Sequence, residues 1–301
     1  MKRNHFIATV LALCLALGLT ACGLYPGRRI VWGNGAVDVR TLALPETPGG
    51  LSLRLDGVSF QFTDRDAIDL TVMIDETLDR SAILETDGNL LSRLRLEYDS
   101  ARGEISLRGP RAMAFSPTRF TLTVGAPVRA LVAYGTWNIR CSCPSVKACS
   151  IRTDGDCGGD FSFGKLDRLD MNLGGIARMK LSSPGITDCK ITTDGDIDGD
   201  FALGAVDSLD MNLGGICRAA VSGTARRAAL ALEGDAKISA FGLTARDADI
   251  TISGIGHCEI TAEERLRVRI DGDGSVIYAG SPTLSQTVDG IGVVKARDQG
   301  D

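Results

Sequence analysis

The chain has 301 residues, 44% hydrophobic and 24% charged, the proportions of a globular protein with a sizeable core and not of a disordered chain or a multi-span membrane protein. A formal charge of −5 and two histidines argue against nucleic-acid binding, which needs the opposite sign, and against imidazole-based catalysis. Thirty-six glycines with only 5% aromatics predict many tight turns and a core of small side chains.

Met1-Lys2-Arg3 followed by the apolar stretch Phe6 to Leu19 reads as a signal peptide over 1–21, since the stretch is too short to span a bilayer as a helix. It ends in Leu19-Thr20-Ala21-Cys22, which resembles the bacterial lipoprotein lipobox, where cleavage before the cysteine follows attachment of lipid to its sulfur. That resemblance implies a lipidated Cys22 at the mature terminus, a tether over 22–30, and the membrane as a partner. Several acyl chains, at about 0.8 kcal/mol per buried CH₂, would make the anchorage stable. Gly23 stands where lipoproteins retained at the inner membrane usually carry aspartate, so the expected location is the outer membrane.

From 31 to 125 come short alternating runs: Leu51–Leu55, Val58–Phe62, Ile68–Val72, Glu104–Leu107 and Phe120–Val124. They predict strands. Their irregular spacing predicts an N-terminal β region that covers the open end of the repetitive segment after it and blocks edge pairing.

Residues 126–296 are repetitive. Residues 149–176 and 189–216 are close copies offset by forty, and a finer period is marked by glycines at 135, 155, 175, 195, 215, 234, 254, 272 and 290. Four residues before those marks stand Leu131, Ile151, Met171, Ile191, Met211, Leu230, Ile250, Val268 and Gln286, nearly all apolar, while the neighbouring positions are mostly polar. Alternation with period two means strands with one face inside, and repetition every twenty residues means stacked units. Both conditions predict an all-β parallel β-solenoid of about 20-residue rungs, roughly 40 Å long over eight steps at the strand spacing. An antiparallel sandwich predicts the alternation but not the register-locked columns. Whether one turn takes twenty residues or forty stays open, and 297–301 reads as a frayed tail.

Seven cysteines follow the tether, at 141, 143, 149, 157, 189, 217 and 258, an odd number that excludes complete pairing among them. Cys141, Cys143 and Cys149 could form a local disulfide in an oxidising compartment, could be buried free thiols, or could bind metal, for which no fourth ligand stands out. Cys149 and Cys189 share an inward column with Leu169 between them, about 10 Å apart and beyond disulfide reach.

Val31-Trp-Gly-Asn-Gly-Ala-Val37, Glu85-Thr-Asp-Gly-Asn-Leu-Leu91, the run from Val268 to Pro282 and Asp289-Gly-Ile-Gly-Val-Val-Lys295 together resemble, in order and spacing, the GIN domain, also known as the auto-transporter adhesin head domain. The resemblance covers about residues 31–296. It implies a right-handed parallel β-helix exported to the cell envelope, often as a lipoprotein, with no established reaction and no catalytic residues to carry over. Here Asp-Gly-Asp turns replace the family's serine-rich ones.

The residues with most chemical potential are the acidic pairs Asp154/Asp156, Asp194/Asp196, Glu233/Asp235 and Asp271/Asp273, which alternate with units carrying Ile176, Ile216, Ile255 and Ile291 after the glycine. Asp194, Asp196 and Asp198 copy the opening of a calcium loop, but its twelfth position is Ala205, without the bidentate glutamate, and turn-capping aspartates explain the pattern. No metal and no cofactor is therefore expected. The rival is a polysaccharide lyase or hydrolase built from Asp154, Asp156, Arg152 and Arg178, against which stand the scarcity of aromatic sugar platforms and a His257 that faces away from its neighbour Cys258. The sequence thus points to a non-enzymatic, lipid-anchored envelope β-helix with a binding, adhesive or structural role. Its expected partner is an envelope protein or polysaccharide.

Overall fold

The chain's computed structural model describes residues 29–47, 49–60, 70–110 and 112–297. The signal peptide, Cys22, residues 61–62 and 68–69 of two expected strands, and 298–301 of the tail lie outside the described residues.

The N-terminal third supplies β1 (Arg29–Trp32), β2 (Val37–Ala43), β3 (Leu51–Asp56), β4 (Leu70–Asp75), β5 (Ser81–Asp87), β6 (Arg95–Asp99), β7 (Glu104–Arg108), β8 (Met113–Ser116) and β9 (Phe120–Val124). The remainder is β10 (Val128–Cys143), β11 (Ala148–Phe163), β12 (Leu166–Ser182), β13 (Gly185–Leu232), β14 (Asp235–Ile252), β15 (Ile255–Ile270), β16 (Asp273–Ala279), β17 (Thr283–Val288) and β18 (Ile291–Ala296). From β10 onward every ladder is parallel. The architecture is a parallel β-solenoid.

Register settles the length of a turn. Leu131 pairs with Ile151 and Leu169 with Cys189, each a step of twenty, and the step narrows to eighteen where Ile250 meets Val268 and Asp273 meets Ile291. The forty-residue copy therefore spans two turns, and packing explains why. Along inward columns small and large side chains alternate: Gly159, Met179, Gly199 in one, and Cys149, Leu169, Cys189 in another. A Cβ on Gly159 would fall 2.2 Å from the ring of Phe161 and 2.7 Å from the sulfur of Met179. Each large residue fills the room that its smaller neighbours leave, as dense interiors require.

The marked glycines form one corner. Gly135, Gly155, Gly175, Gly195 and Gly215 hold φ between +73 and +157, and on each ladder glycine after the first a Cβ would lie 2.0–2.4 Å from the carbonyl oxygen of the glycine one turn earlier. Only glycine lets backbone stack on backbone that closely.

The N-terminal third does more than cover an end. β3 and β4 pair in parallel with the two halves of β10, and β7 and β9 pair in parallel with β3 and β4. These strands are two further turns, irregular because a long excursion separates them in sequence. The covering is antiparallel: β6 on β7, β5 on β9, and β2 on β5 as the outermost strand. Beneath it Phe60, Phe120 and Trp137 meet edge to face at centroid distances of 5.2–5.9 Å, geometry that suits the ring quadrupoles.

Candidate functional site

The seven cysteines of the described chain all point into the core as free thiols. Cys141 and Cys143 stand with sulfurs 3.5 Å apart, and the Cys149 thiol donates toward the Val128 carbonyl at 3.7 Å. The contact with Cys143, then burial, pushes the Cys141 thiol up. Burial pushes Cys149, Cys157, Cys189 and Cys258 to about 12 and Cys217 to about 11. Those six thiols stay protonated at neutral pH, whereas the contact with Cys141 lowers the thiol of Cys143.

Asp194 and Asp196 flank the corner at Gly195, both exposed, and Asp198 lies farther along the next side, in register with Arg178. Among the described residues no group of three or more His, Cys, Asp or Glu side chains is gathered to hold a metal ion. Arg152 and Arg178 occupy opposite sides of the glycine corner, in register with Asn172 and Gly158 respectively. The residues sketched for polysaccharide cleavage are thus divided between two faces.

What the fold does assemble is a ridge. The residue after each ladder glycine points outward, and in register these positions read Asp156, Ile176, Asp196 and, farther on, Ile216, Asp235, Ile255, Asp273, Ile291. The isoleucines are exposed by 48% at Ile176 and Ile216, 65% at Ile255 and 80% at Ile291. Each kind recurs every second turn, about 9.5 Å along the axis at the strand spacing.

Beside the ridge, three residues after each glycine, runs a column containing Arg178, Asp198, Arg218, Lys237, His257 and Ser275. Between ridge and column, from Ile216 to Val293, lies a shallow groove of about 580 Å³. Its histidine has Nδ1 2.7 Å from Ser275 Oγ and Nε2 3.4 Å from Glu259 Oε1. Cys258 faces the core behind it.

The cations here differ from those across the corner. On that other face Arg265 grips Asp247 bidentately at 2.8 Å, Arg267 meets Asp249 at 3.1 Å, and Arg269 meets Asp271 at 2.7 Å and Asp289 at 3.4 Å. Among the described residues, Arg178, Arg218 and Lys237 have no such ion pair. On the grooved face donors, carboxylates and apolar knobs stand outward side by side. The column is legible in the sequence at a fixed distance after each marked glycine, but the stronger periodic signal lies in the inward positions before it. The missing ion pairs leave no such signal.

A family model described as "Putative auto-transporter adhesin, head GIN domain" matches residues 65–282. Among solved structures the chain is similar to a "putative adhesin" of Parabacteroides merdae, with 19% identity and a TM-score of 0.60 over 90% of this chain and 100% of that one. A "putative adhesin" of Parabacteroides distasonis follows at 14% identity and a TM-score of 0.56, covering 89% and 100%. A "putative lipid binding protein" of the same species has 17% identity and a TM-score of 0.53, covering 90% and 100%. At those identities the likeness concerns the fold. No curated protein matches in sequence.

Proposed function

This chain belongs to the GIN-domain family, and on that premise we propose that it is a non-enzymatic binding module of the bacterial envelope, anchored through lipid on Cys22 to the outer membrane. Its ligand is a linear polysaccharide lying along the glycine-corner ridge. The observation that carries the reading is the alternation of exposed isoleucine with aspartate in one outward column, beside cations without ion pairs. A surface that repeats every two turns suits a polymer that repeats every two sugars. Carboxylates accept from hydroxyls, Arg218 and Lys237 donate, and isoleucines cover the apolar faces of the rings.

The test uses the chain without its leader or lipid, titrated with purified envelope polysaccharides while products are monitored. Saturable binding without product is expected. Ile216→Ser with Ile255→Ser should weaken it at least about tenfold, because each isoleucine loses part of a contribution of roughly 1.5–3 kcal/mol, and the melting temperature should stay unchanged. Turnover of the glycan, or binding indifferent to both substitutions, would overturn the reading.

A further inference from the structure

The solenoid closes its first end and leaves its last one open. At the first, the antiparallel strands β2 and β6 lie outermost. Both are charged, with Asp38 and Arg40 on one and Arg95, Glu97 and Asp99 on the other, and charge on an edge strand keeps other chains from pairing with it. At the last end, among the described residues, β17 pairs only with β15 and β18 only with β16. Two strand edges, one on each side of the glycine corner at Gly290, therefore present N–H and C=O groups with no ladder to complete.

Those edges are also stripped of charge. Register leads from Asp247 and Arg265 to Thr283, from Asp249 and Arg267 to Ser285, and from Arg269 to Thr287. Aspartates and arginines that pair with one another along the stack thus give way to small neutral residues in the final turn. β17 has no charged side chain, and β18 has Lys295 alone. The inward column runs on as well. Leu266, Val268 and Ile270 are buried, while Leu284 and Val288 in the next turn stay 36% and 39% exposed on either side of Gln286.

A single strand could cover one of these edges, whereas a second copy of the same end covers both. Gln286 and Val294 each stand four residues from Gly290, so one two-fold axis across the stack passes through the two of them. Rotation about it lays β17 antiparallel on its copy and β18 on its own. Leu284 then meets Val288 of the second copy, Ser285 meets Thr287, and Val293 meets Lys295, each opposite a residue of the same parity, as antiparallel pairing requires. No like charges are opposed, since Asp289 faces Thr283 and Arg297 faces Ile291. Gln286 meets Gln286, and an amide that both donates and accepts can satisfy its copy.

We propose that the open end is a dimer interface, in which a second copy of this chain completes the ladders of β17 and β18 tail to tail, with the capped ends pointing apart. Because the contact is isologous it closes on itself, giving a dimer and not a fibre. The inference is independent of the ligand reading, and no ligand enters its test.

The leaderless, unlipidated chain, which keeps every described strand, is followed by sedimentation velocity. A dimer is expected at micromolar protein. Ser285→Lys with Thr287→Lys sets like charges opposite each other twice across the axis and should weaken association at least about tenfold. Ser285→Glu with Thr287→Glu should do the same, and an equimolar mixture of the two double variants should regain the dimer. Gln286→Cys should cross-link to its own copy in oxidised glutathione, because directly opposed strand residues bring their Cα atoms to about 4.5–5.5 Å, within disulfide reach. The native cysteines of the described chain are buried, so the parent serves as the control that does not cross-link. Residues 285, 286 and 287 are all exposed, and circular dichroism matching the parent separates lost pairing from lost folding. A parent that stays monomeric throughout the micromolar range, dimers that survive both charged variants, a mixture that stays monomeric, or open-ended polymers would overturn the inference.

Discussion

Gly175→Ala, set against Gly174→Ala one residue earlier, tests whether the glycine corner dictates the stack. Gly175 has φ +74, a conformation that costs an L-residue roughly 1–2 kcal/mol. Its new Cβ would lie 2.3 Å from the Gly155 carbonyl oxygen and 2.6 Å from the Gly155 nitrogen. Both obstacles are backbone, so no rotamer relieves them and the turns must separate locally, an overpacking worth about 1–3 kcal/mol more. The total is about 2–5 kcal/mol. At Gly174 the nearest atom is the Thr153 carbonyl oxygen at 3.3 Å and φ is not positive. There a small steric cost is offset by the roughly 0.4–1 kcal/mol gained when alanine restricts the unfolded chain. Melting followed by circular dichroism should show Gly175→Ala lower by on the order of 5–10 °C and Gly174→Ala near the parent. Because turns in a solenoid interact with nearest neighbours, the damaged transition should also broaden. Equal midpoints for the two variants would refute the reasoning.

Met171→Asp should unfold the middle of the stack, since a carboxylate would enter a fully buried column at several kcal/mol or stay protonated; Asn172→Asp, exposed and in register with Arg152, should be mild, as chemical denaturation of both would show. Thr153→Val should stabilise by about 1 kcal/mol because the buried Thr153 hydroxyl has no hydrogen-bond partner among the described residues, while Thr193→Val should not, since Thr193 donates to the Gly214 carbonyl at 3.2 Å; both outcomes rest on the cost of an unpaired buried group. Asp87→Asn should loosen the cap by about 1.5–3 kcal/mol, the worth of hydrogen bonds to a charged group. Burial alone would raise the Asp87 carboxyl, but hydrogen bonds from Thr118, Gly35 and Arg119 hold it below the usual range. Its stabilisation is therefore complete above the unfolded value of about 4 and lost as pH falls through the lower folded value. Acid titration of melting should show that loss in the parent and not in Asp87→Asn.

The solenoid was legible because one face of each strand is dry and one is wet, and because the corner tolerates a single residue type. Those two constraints fix period, register and direction, so the strands from β10 to β18 follow the glycine marks. The N-terminal turns were not legible as turns. β3 meets β7 and β10 in space, although residues 57–103 and 109–127 intervene in sequence, and no local periodicity encodes a pairing across such separations. Their strands could be read, but their place in the stack could not. The twenty-residue rung was legible from the glycines, but whether it made a whole turn stayed open, because complementary packing of unlike neighbours produces a sequence repeat of forty on a structural repeat of twenty.

The ridge shows where composition and parity conflict. An isoleucine in an alternating strand invites assignment to the core, and Ile176, Ile216, Ile255 and Ile291 would be placed there by hydrophobicity alone. Counting from the glycine places each on the outward parity, since Trp137, Cys157 and Ala177, two residues after their glycines, are buried. Parity prevails, because moving one residue inward would turn every neighbour on its strand to the wrong face. The alternative, a bulge at each isoleucine, would break the register that continues unshifted from Asp156↔Ile176 to Ser162↔Ser182. An apolar side chain held outside by the register of everything around it has no packing role to explain it. Repeated every second turn beside Arg218 and Lys237, it is the feature on which the proposed ligand reading rests.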